Sequence, residues 1–211
     1  GKKVVITAGP TREALDPVRY ISNHSSGKMG FSMAAAAIDA GAEVTIVCGP
    51  VSLPMPERCD VISVVSAADM LEASLASAAD ADIFIAAAAV ADYRASTVAK
   101  QKIKKQDDSM TISLERNPDI VSAVVQANPT VFVLGFAAET QDVETYARDK
   151  LQRKNLGAII ANDVSRTDVG FNADENEVIW IDRTSSVVFS KRSKAQLARD
   201  IIEHLAKGLP N

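Results

Sequence analysis

The feature that most constrains this chain is an alternation of short Val/Ile-rich runs with longer helical stretches. Lys3–Ala8 (KVVITA), Glu43–Cys48 (EVTIVC), Val61–Val65, Asp82–Ala87 (DIFIAA), Thr130–Gly135 (TVFVLG) and Ala158–Ala161 are each four to six residues long. They are continuously apolar rather than alternating, as strands are when both faces of their sheet are covered. Between them the pattern predicts helices over Lys28–Ala40, Ala67–Ala78, Pro118–Asn128 and Val143–Asn155. Asn117 is expected to cap the third, with Pro118 at its first position, and Gly41 and Gly157 to stand just past helix ends. Repeated strand–helix–strand units with short connections predict a parallel sheet between two layers of helices. The tail departs from this: Glu177–Ile181 and Val187–Ser190 flank a turn at Asp182–Ser186, and a helix follows over Lys194–Lys207. That pair of runs reads as an antiparallel hairpin at the sheet edge.

The expected class is therefore α/β: a Rossmann-like three-layer sandwich with a mainly parallel central sheet, an antiparallel C-terminal hairpin and a long basic loop. At 211 residues the chain suits a single domain spanning 1–211, with the hairpin and last helix at about 176–207. Two cysteines, Cys48 and Cys59, and two histidines, His24 and His204, exclude a disulfide scaffold and a His/Cys zinc site. A net charge of −4 and 5% aromatics exclude a general nucleic-acid coat and a base-stacking RNA-binding sheet. No apolar run reaches the roughly 18 residues of a membrane span. Gly1-Lys2-Lys3 runs straight into a strand and has no small-residue cleavage site. A cytoplasmic chain that binds neither nucleic acid nor membrane is expected.

Ligands of open parallel sheets bind outside the carboxyl ends of the strands. After the first strand, Gly9-Pro10 is followed by sixteen residues, TREALDPVRYISNHSS, before Gly27-Lys28-Met29-Gly30 opens a helix. This is not the G-x-G-x-x-G entry of a dinucleotide fold, and Cys48-Gly49-Pro50 offers no ribose-binding acid. Ser25, Ser26, Gly27 and Gly30 instead bring hydroxyls and backbone N–H groups to a helix N-terminus, as a phosphate site or as a simple cap. Just ahead of them, Arg19 offers a bidentate cation and Asn23 a donor and an acceptor.

Ala86, Ala87, Ala88 and Ala89 end the fourth strand and precede Asp92. Such small residues either pack under a helix or let a ligand approach the backbone. From Arg94 to Lys105 there are five positive charges and no acid, inside an aperiodic stretch at about 93–109. A basic loop on an acidic chain points to an anionic ligand such as a triphosphate, or to a lysine-guarded strand edge. Pro118, Asp119, Ile120 and Val121 open another helix; Phe136 stacks on a base or packs in the core. Lys150 and Lys154 share a helix face, and Asn162-Asp163 follows the last parallel strand at the same sheet edge. A nucleotide and a second phosphorylated substrate fit this set. No Ser/His/Asp or Cys/His nucleophile arrangement is present.

The strings AGPT at 8–11, DPVRYISN at 16–23, SSGKMG at 25–30, Ala86–Tyr93, KIKK at 102–105, Asn117–Val121, Gly135–Thr140 and Asn162-Asp163-Val164 together resemble the bacterial phosphopantothenoylcysteine synthetase family. The resemblance covers nearly the whole chain. It implies a ligase of coenzyme A biosynthesis that joins 4′-phosphopantothenate to L-cysteine using CTP and Mg²⁺, through an acyl-cytidylate. In that family the domain is usually fused behind a flavin-dependent decarboxylase, so an isolated, flavin-free domain is expected here. Carried over by position, Gly9, Gly30, Ala86, Ala87, Asp92, Lys102, Pro118, Asp119, Ile120, Val121, Phe136, Lys150 and Lys154 surround CTP. Arg19, Asn23, Ser25, Ser26, Gly27, Ala88 and Ala89 hold the acyl-cytidylate, with Asn23, Lys102 and Arg19 in catalytic roles. The basic loop acts as a flap and the family is dimeric; the metal ligands stay unassigned. Ala14, in the Thr11–Pro17 stretch, is a mild departure that touches no assigned role. Two other readings are a nicotinamide-dependent reductase and a non-catalytic nucleotide-binding module. Both leave the string Arg19…Asn23…Ser25–Gly30 without a purpose.

Overall fold

A computed structural model describes residues 1–104, 109–163 and 174–209, with Asp163 by its backbone alone. The elements in chain order are β1 (Lys3–Ala8), β2 (Arg12–Ala14), β3 (Tyr20–Ser22), α1 (Lys28–Asp39), β4 (Glu43–Cys48), β5 (Asp60–Ser63), α2 (Ala67–Ala78), β6 (Ile83–Ala86), β7 (Tyr93–Ala95) and β8 (Leu114–Arg116). They continue with α3 (Ile120–Ala127), β9 (Phe132–Glu139), α4 (Val143–Arg153), β10 (Ala158–Asp163), β11 (Glu175–Asp182), β12 (Ser186–Ser193) and α5 (Lys194–Gly208).

Eight strands form one sheet in the order β12-β11-β10-β9-β6-β1-β4-β5, parallel from β10 to β5 and antiparallel where β11 and β12 join. The continuous apolar runs are explained by the pleat, because successive residues bury on opposite faces. In β1, Val4, Ile6 and Ala8 pack with Met33 and Ala37 of α1 and Leu197 and Ile201 of α5. Val5 faces the other way, into a cluster with Met70 of α2, Val124 of α3 and Leu151 of α4. The expected three-layer α/β sandwich and its edge hairpin are present.

Several local expectations need correction. Asp119, not Asn117, caps α3, accepting from Ser122 N at 3.1 Å. Asn117 is committed elsewhere, with Nδ2 donating to Ala91 O at 2.8 Å. Gly41 does follow α1 with φ 87°, but after α4 the left-handed residue is Asn155, φ 52°. Gly157 is needed for room: a Cβ there would come within 2.5 Å of the Phe132 ring. Asn162 and Asp163 belong to β10 rather than following it. The insertion after Gly9 folds into the β2–β3 ladder, and the basic loop rises from a β7–β8 ladder. Lys105 and Val164 lie outside the described residues. Among the described residues no helix is long and apolar enough to cross a membrane.

Candidate active site

The chain runs from β1 through α1 to β4 on one side, then crosses back to β6 on the other. The switch point of the sheet therefore lies between β1 and β6, and a crevice opens outside their carboxyl ends. The segments leaving these two strands are tied to each other. Ala87 N donates to Thr7 O at 3.2 Å and Ala88 N to Thr7 Oγ1 at 3.3 Å. Ala89 N donates to Gly9 O at 2.9 Å, and Thr11 N to Ala89 O at 3.3 Å. The buried Thr11 hydroxyl accepts from Ala91 N at 2.9 Å. The alanine run is thus a fixed floor whose methyl side chains leave space above it.

The N-terminus of α1 stands beside this floor. Gly27 begins it at φ 80°, a left-handed value that a side chain would strain. A Cβ on Gly30 would lie 2.6 Å from Ala8 Cβ, so only hydrogen lets the helix seat against β1. The first turn carries no acid. Ser25 Oγ accepts from Gly27 N and Ser26 Oγ from Lys28 N, both at 3.3 Å. An anion is favoured here by the macrodipole and the converging N–H groups.

These parts enclose a cleft of about 490 Å³. It is lined by Asn23, Ser25, Ser26, Gly27, Gly30, Ala87, Ala88, Ala89, Asp92, Phe136 and Lys150 among the residues singled out from sequence. A larger hollow of about 670 Å³, against Lys3, Glu43 and Arg58, lies at the amino ends of β1 and β4, the wrong end of a parallel sheet for a ligand. Asn23 Nδ2 donates to Val90 O at 3.0 Å, using one of its two amide hydrogens.

Across the cleft, Lys150 Nζ donates to Phe136 O at 3.1 Å. Burial first, and then the charge of Lys154, push the Lys150 pKa below that of an ordinary lysine; Glu139, Asp119 and Asp92 pull the other way. Lys154, its side chain only 16% exposed, pairs with Asp119 at 2.7 Å. Burial works against the Asp119 carboxylate, but Lys154 and the Ser122 N–H outweigh it and hold its pKa below the usual carboxylate range. Lys154 and the turn of Pro118, Asp119, Ile120 and Val121 are not among the residues lining the cleft. Gly9 and Ala86 flank the floor without lining the cleft. Arg19 and Lys102 are not among its lining either: Arg19 is bound to Asp16 and to Ile103 O.

Several lining residues had no assigned role, Asn162, Asn176, Lys194 and Lys28 among them. Asn162 is 9% exposed, and its Oδ1 has no partner among the described residues. Its position at a strand's carboxyl end was the available signal. Asn176, Lys194 and Lys28 also line the cleft. Lys28 pairs with Asp174 at 2.6 Å, and burial, followed by the Lys28 charge, lowers the pKa of Lys194. No local pattern marks Lys194, which arrives from the last helix. Thr7 and Thr11 were likewise missed as holders of the floor.

Among the described residues no group of three His, Cys, Asp or Glu could hold a metal ion. A hard cation carried on phosphates needs only one or two protein carboxylates, and Asp92, the one acid among the cleft-lining residues, fits that need.

A sheet with a small-residue floor at its switch point, an acid-free helix N-terminus and lysines on the walls defines an α/β protein whose cleft is suited to an anion. Residues 1–209 match the DNA/pantothenate metabolism flavoprotein C-terminal domain, and the chain belongs to that family. The chain is 53% identical over 209 residues to the coenzyme A biosynthesis bifunctional protein CoaBC of Vibrio vulnificus, covering 97% of this chain and 52% of that one. It is 57% identical over 185 residues to CoaBC of Escherichia coli K12, covering 85% and 46%. The chain thus spans about half the length of these curated relatives. A crystal structure of a CoaBC C-terminal domain superposes with a TM-score of 0.84 at 38% identity, covering 98% of this chain and 95% of that one. The DNA/pantothenate metabolism flavoprotein of Streptococcus pneumoniae shares the fold, with a TM-score of 0.85 at 24% identity and 98% and 99% coverage.

Proposed function

We propose that the whole chain is one ligase domain of coenzyme A biosynthesis, a CTP-dependent phosphopantothenate–cysteine ligase. The observation that carries this reading is the cleft itself: a backbone-exposing alanine floor between an anion-favouring helix N-terminus and the half-buried Lys150. Such a site suits an extended molecule with phosphate at its ends and an amide-like middle.

A carboxylate is a poor acyl donor and must first become a mixed anhydride. The 4′-phosphopantothenate carboxylate oxygen attacks the α-phosphate of CTP, and pyrophosphate leaves. This step needs alignment and charge neutralisation more than proton transfer. Lys150, Lys154 and Lys102 supply positive charge, while Gly9, Gly30, Ala86, Ala87 and Phe136 frame the nucleotide. Backbone groups near Ala86–Ala89, together with the neighbouring Pro118–Val121 turn, read the base. Mg²⁺ held on the nucleotide by Asp92 supplies further neutralisation when bound. In the second step the cysteine amine adds to the acyl carbon and CMP leaves. Ser25, Ser26, Gly27, Ala88, Ala89 and Arg19 hold the acyl-cytidylate, and the free Asn23 amide hydrogen stabilises the developing oxyanion.

The protein acts as a homodimer in this account. Val18, Tyr20, Tyr93, Val98, Met110 and Leu114 are 44–59% exposed on and around the small β2–β3 and β7–β8 ladders, an apolar surface suited to a second copy. Leu114→Glu is expected to yield a monomer by sedimentation. The reaction is tested by pyrophosphate release with 4′-phosphopantothenate and Mg²⁺, comparing CTP with ATP, with and without L-cysteine. Turnover with CTP, sustained only when cysteine is present, supports the reading; turnover with ATP alone contradicts the nucleotide assignment, and no release contradicts the ligase.

A further inference from the structure

Two of the cations missing from the cleft lining, Arg19 and Lys102, are joined by a residue that the ligase reading leaves without a role. Asp16 is 3% exposed and follows β2 in the arm that leads back to β3. Its Oδ1 accepts from Val18 N and Arg19 N, each at 2.8 Å, which shapes the turn. Its Oδ2 accepts from Arg19 Nε at 3.1 Å, Arg19 Nη2 at 2.6 Å and Ile103 N at 3.0 Å. Arg19 Nη2 also donates to Ile103 O at 2.7 Å. The peptide groups on both sides of Ile103 are therefore gripped by one ion pair, and Ala99 N adds a tie to Leu15 O at 3.0 Å.

We propose that Asp16 is a positioning residue for the ligation: its carboxylate fixes the basic loop at Ile103, next to Lys102, and fixes the Arg19 guanidinium at the same time. The proposal rests on the ligase reading of the previous section. A lysine on a long loop must surrender backbone freedom before its charge meets a triphosphate. An anchor one residue away removes much of that cost in advance. The anchor is durable because a charged, multiply donated carboxylate hydrogen bond is about twice as strong as a neutral one. The two oxygens divide the work, Oδ1 for the turn and Oδ2 for the loop, so the two functions are separable by substitution.

Asp16→Asn, with its amide oxygen kept toward Val18 and Arg19, preserves the turn but puts a non-accepting NH₂ group against Ile103 N–H and the guanidinium. Two readouts are taken on the folded full chain. Amide exchange in the peptide covering residues 100–104 is expected to accelerate by on the order of tenfold or more, which needs no activity to measure. CTP-dependent pyrophosphate release is expected to fall by on the order of tenfold in kcat, with little change in melting temperature. Ile103→Pro leaves Asp16 intact and deletes the N–H from the other side of the bond, while also fixing φ at 103. It is expected to reproduce the loss of kcat and to speed exchange at the remaining amides, which covers the case of a poorly folding Asp16→Asn. Unchanged exchange would overturn the anchor. Faster exchange with parental kinetics, or a loss of stability with kcat unchanged, would reduce Asp16 to a structural residue and overturn the proposal. A parent protein that releases no pyrophosphate would instead fail the ligase reading, and with it any role for Asp16 in that reaction, whatever the exchange shows.

Discussion

Lys150 Nζ and the carbonyl oxygen of Phe136 are 3.1 Å apart, so a half-buried ammonium is tethered to β9 at the cleft wall. Its lowered pKa records a cost: burial, with the Lys154 charge behind it, disfavours the protonated form in the folded protein. That penalty is complete below the folded pKa and is relieved as pH rises from there to the unfolded value near 10.5. Lys150→Met removes the penalty together with the phosphate contact of the proposed reaction. Its melting temperature is expected to stay level or rise by up to about 4 °C. The KM for CTP is expected to rise by roughly tenfold or more. Calorimetry and steady-state kinetics on the same variant check the opposed signs.

Asn23 holds Val90 O through one amide hydrogen, and in the proposed reaction the other serves the oxyanion. Asn23→Asp removes the donor and adds a negative charge where the oxyanion forms. Cysteine-dependent turnover is expected to fall by about 10²–10³-fold, while activation persists and the acyl-cytidylate accumulates to detection by mass spectrometry. Loss of CTP binding altogether would move Asn23 into the nucleotide pocket.

Gly30→Ala places a methyl group 2.6 Å from Ala8 Cβ and 3.2 Å from Ala8 Cα. The contact is with backbone and a buried strand, so α1 must retreat. A loss of about 1–3 kcal/mol is expected from urea unfolding. Weaker CTP binding is expected by titration, because the helix N-terminus moves away from the floor.

Asp182 organises the β11–β12 turn, accepting from Trp180 Nε1 at 3.0 Å, Thr184 N at 2.8 Å and Ser185 N at 2.7 Å. Partial burial opposes the charge, but these donors outweigh it and hold the carboxyl well below the usual range. A depressed carboxyl contributes stability that is present above its unfolded pKa, about 3.9, and lost as pH falls through the folded value. Asp182→Asn is expected to cost about 2 kcal/mol at pH 7. The gap to the parent should close as pH drops below about 4, as read from urea midpoints across pH.

The strands and helices that pack on both faces were legible because burial leaves continuous apolar runs. β1, β4 and α2 coincide with the runs predicted for them. The β2–β3 and β7–β8 ladders were not, since strands of three residues with largely polar composition carry no period. Asn117 and Asp119 are both competent caps. Asp119 caps the helix and also meets Lys154, while Asn117 is held through Nδ2 by Ala91 O with its Oδ1 unpartnered among the described residues. Sequence order likewise marked Ser25–Gly30 and Ala86–Asp92, which follow strand ends. It did not mark Lys194, brought to the same cleft by packing of α5 on α1. Nor did it show that Asp16 couples Arg19 to Ile103, 84 residues apart.

The central claim is a carboxylate activated at the α-phosphate of CTP, and oxygen transfer tests it most directly. 4′-Phosphopantothenate labelled with ¹⁸O in its carboxylate is incubated with CTP, Mg²⁺ and L-cysteine, and the products are weighed by mass spectrometry. The account predicts one labelled oxygen in CMP and none in pyrophosphate. Label in inorganic phosphate with CDP as the other product would mean attack at the γ-phosphate and would contradict the acyl-cytidylate.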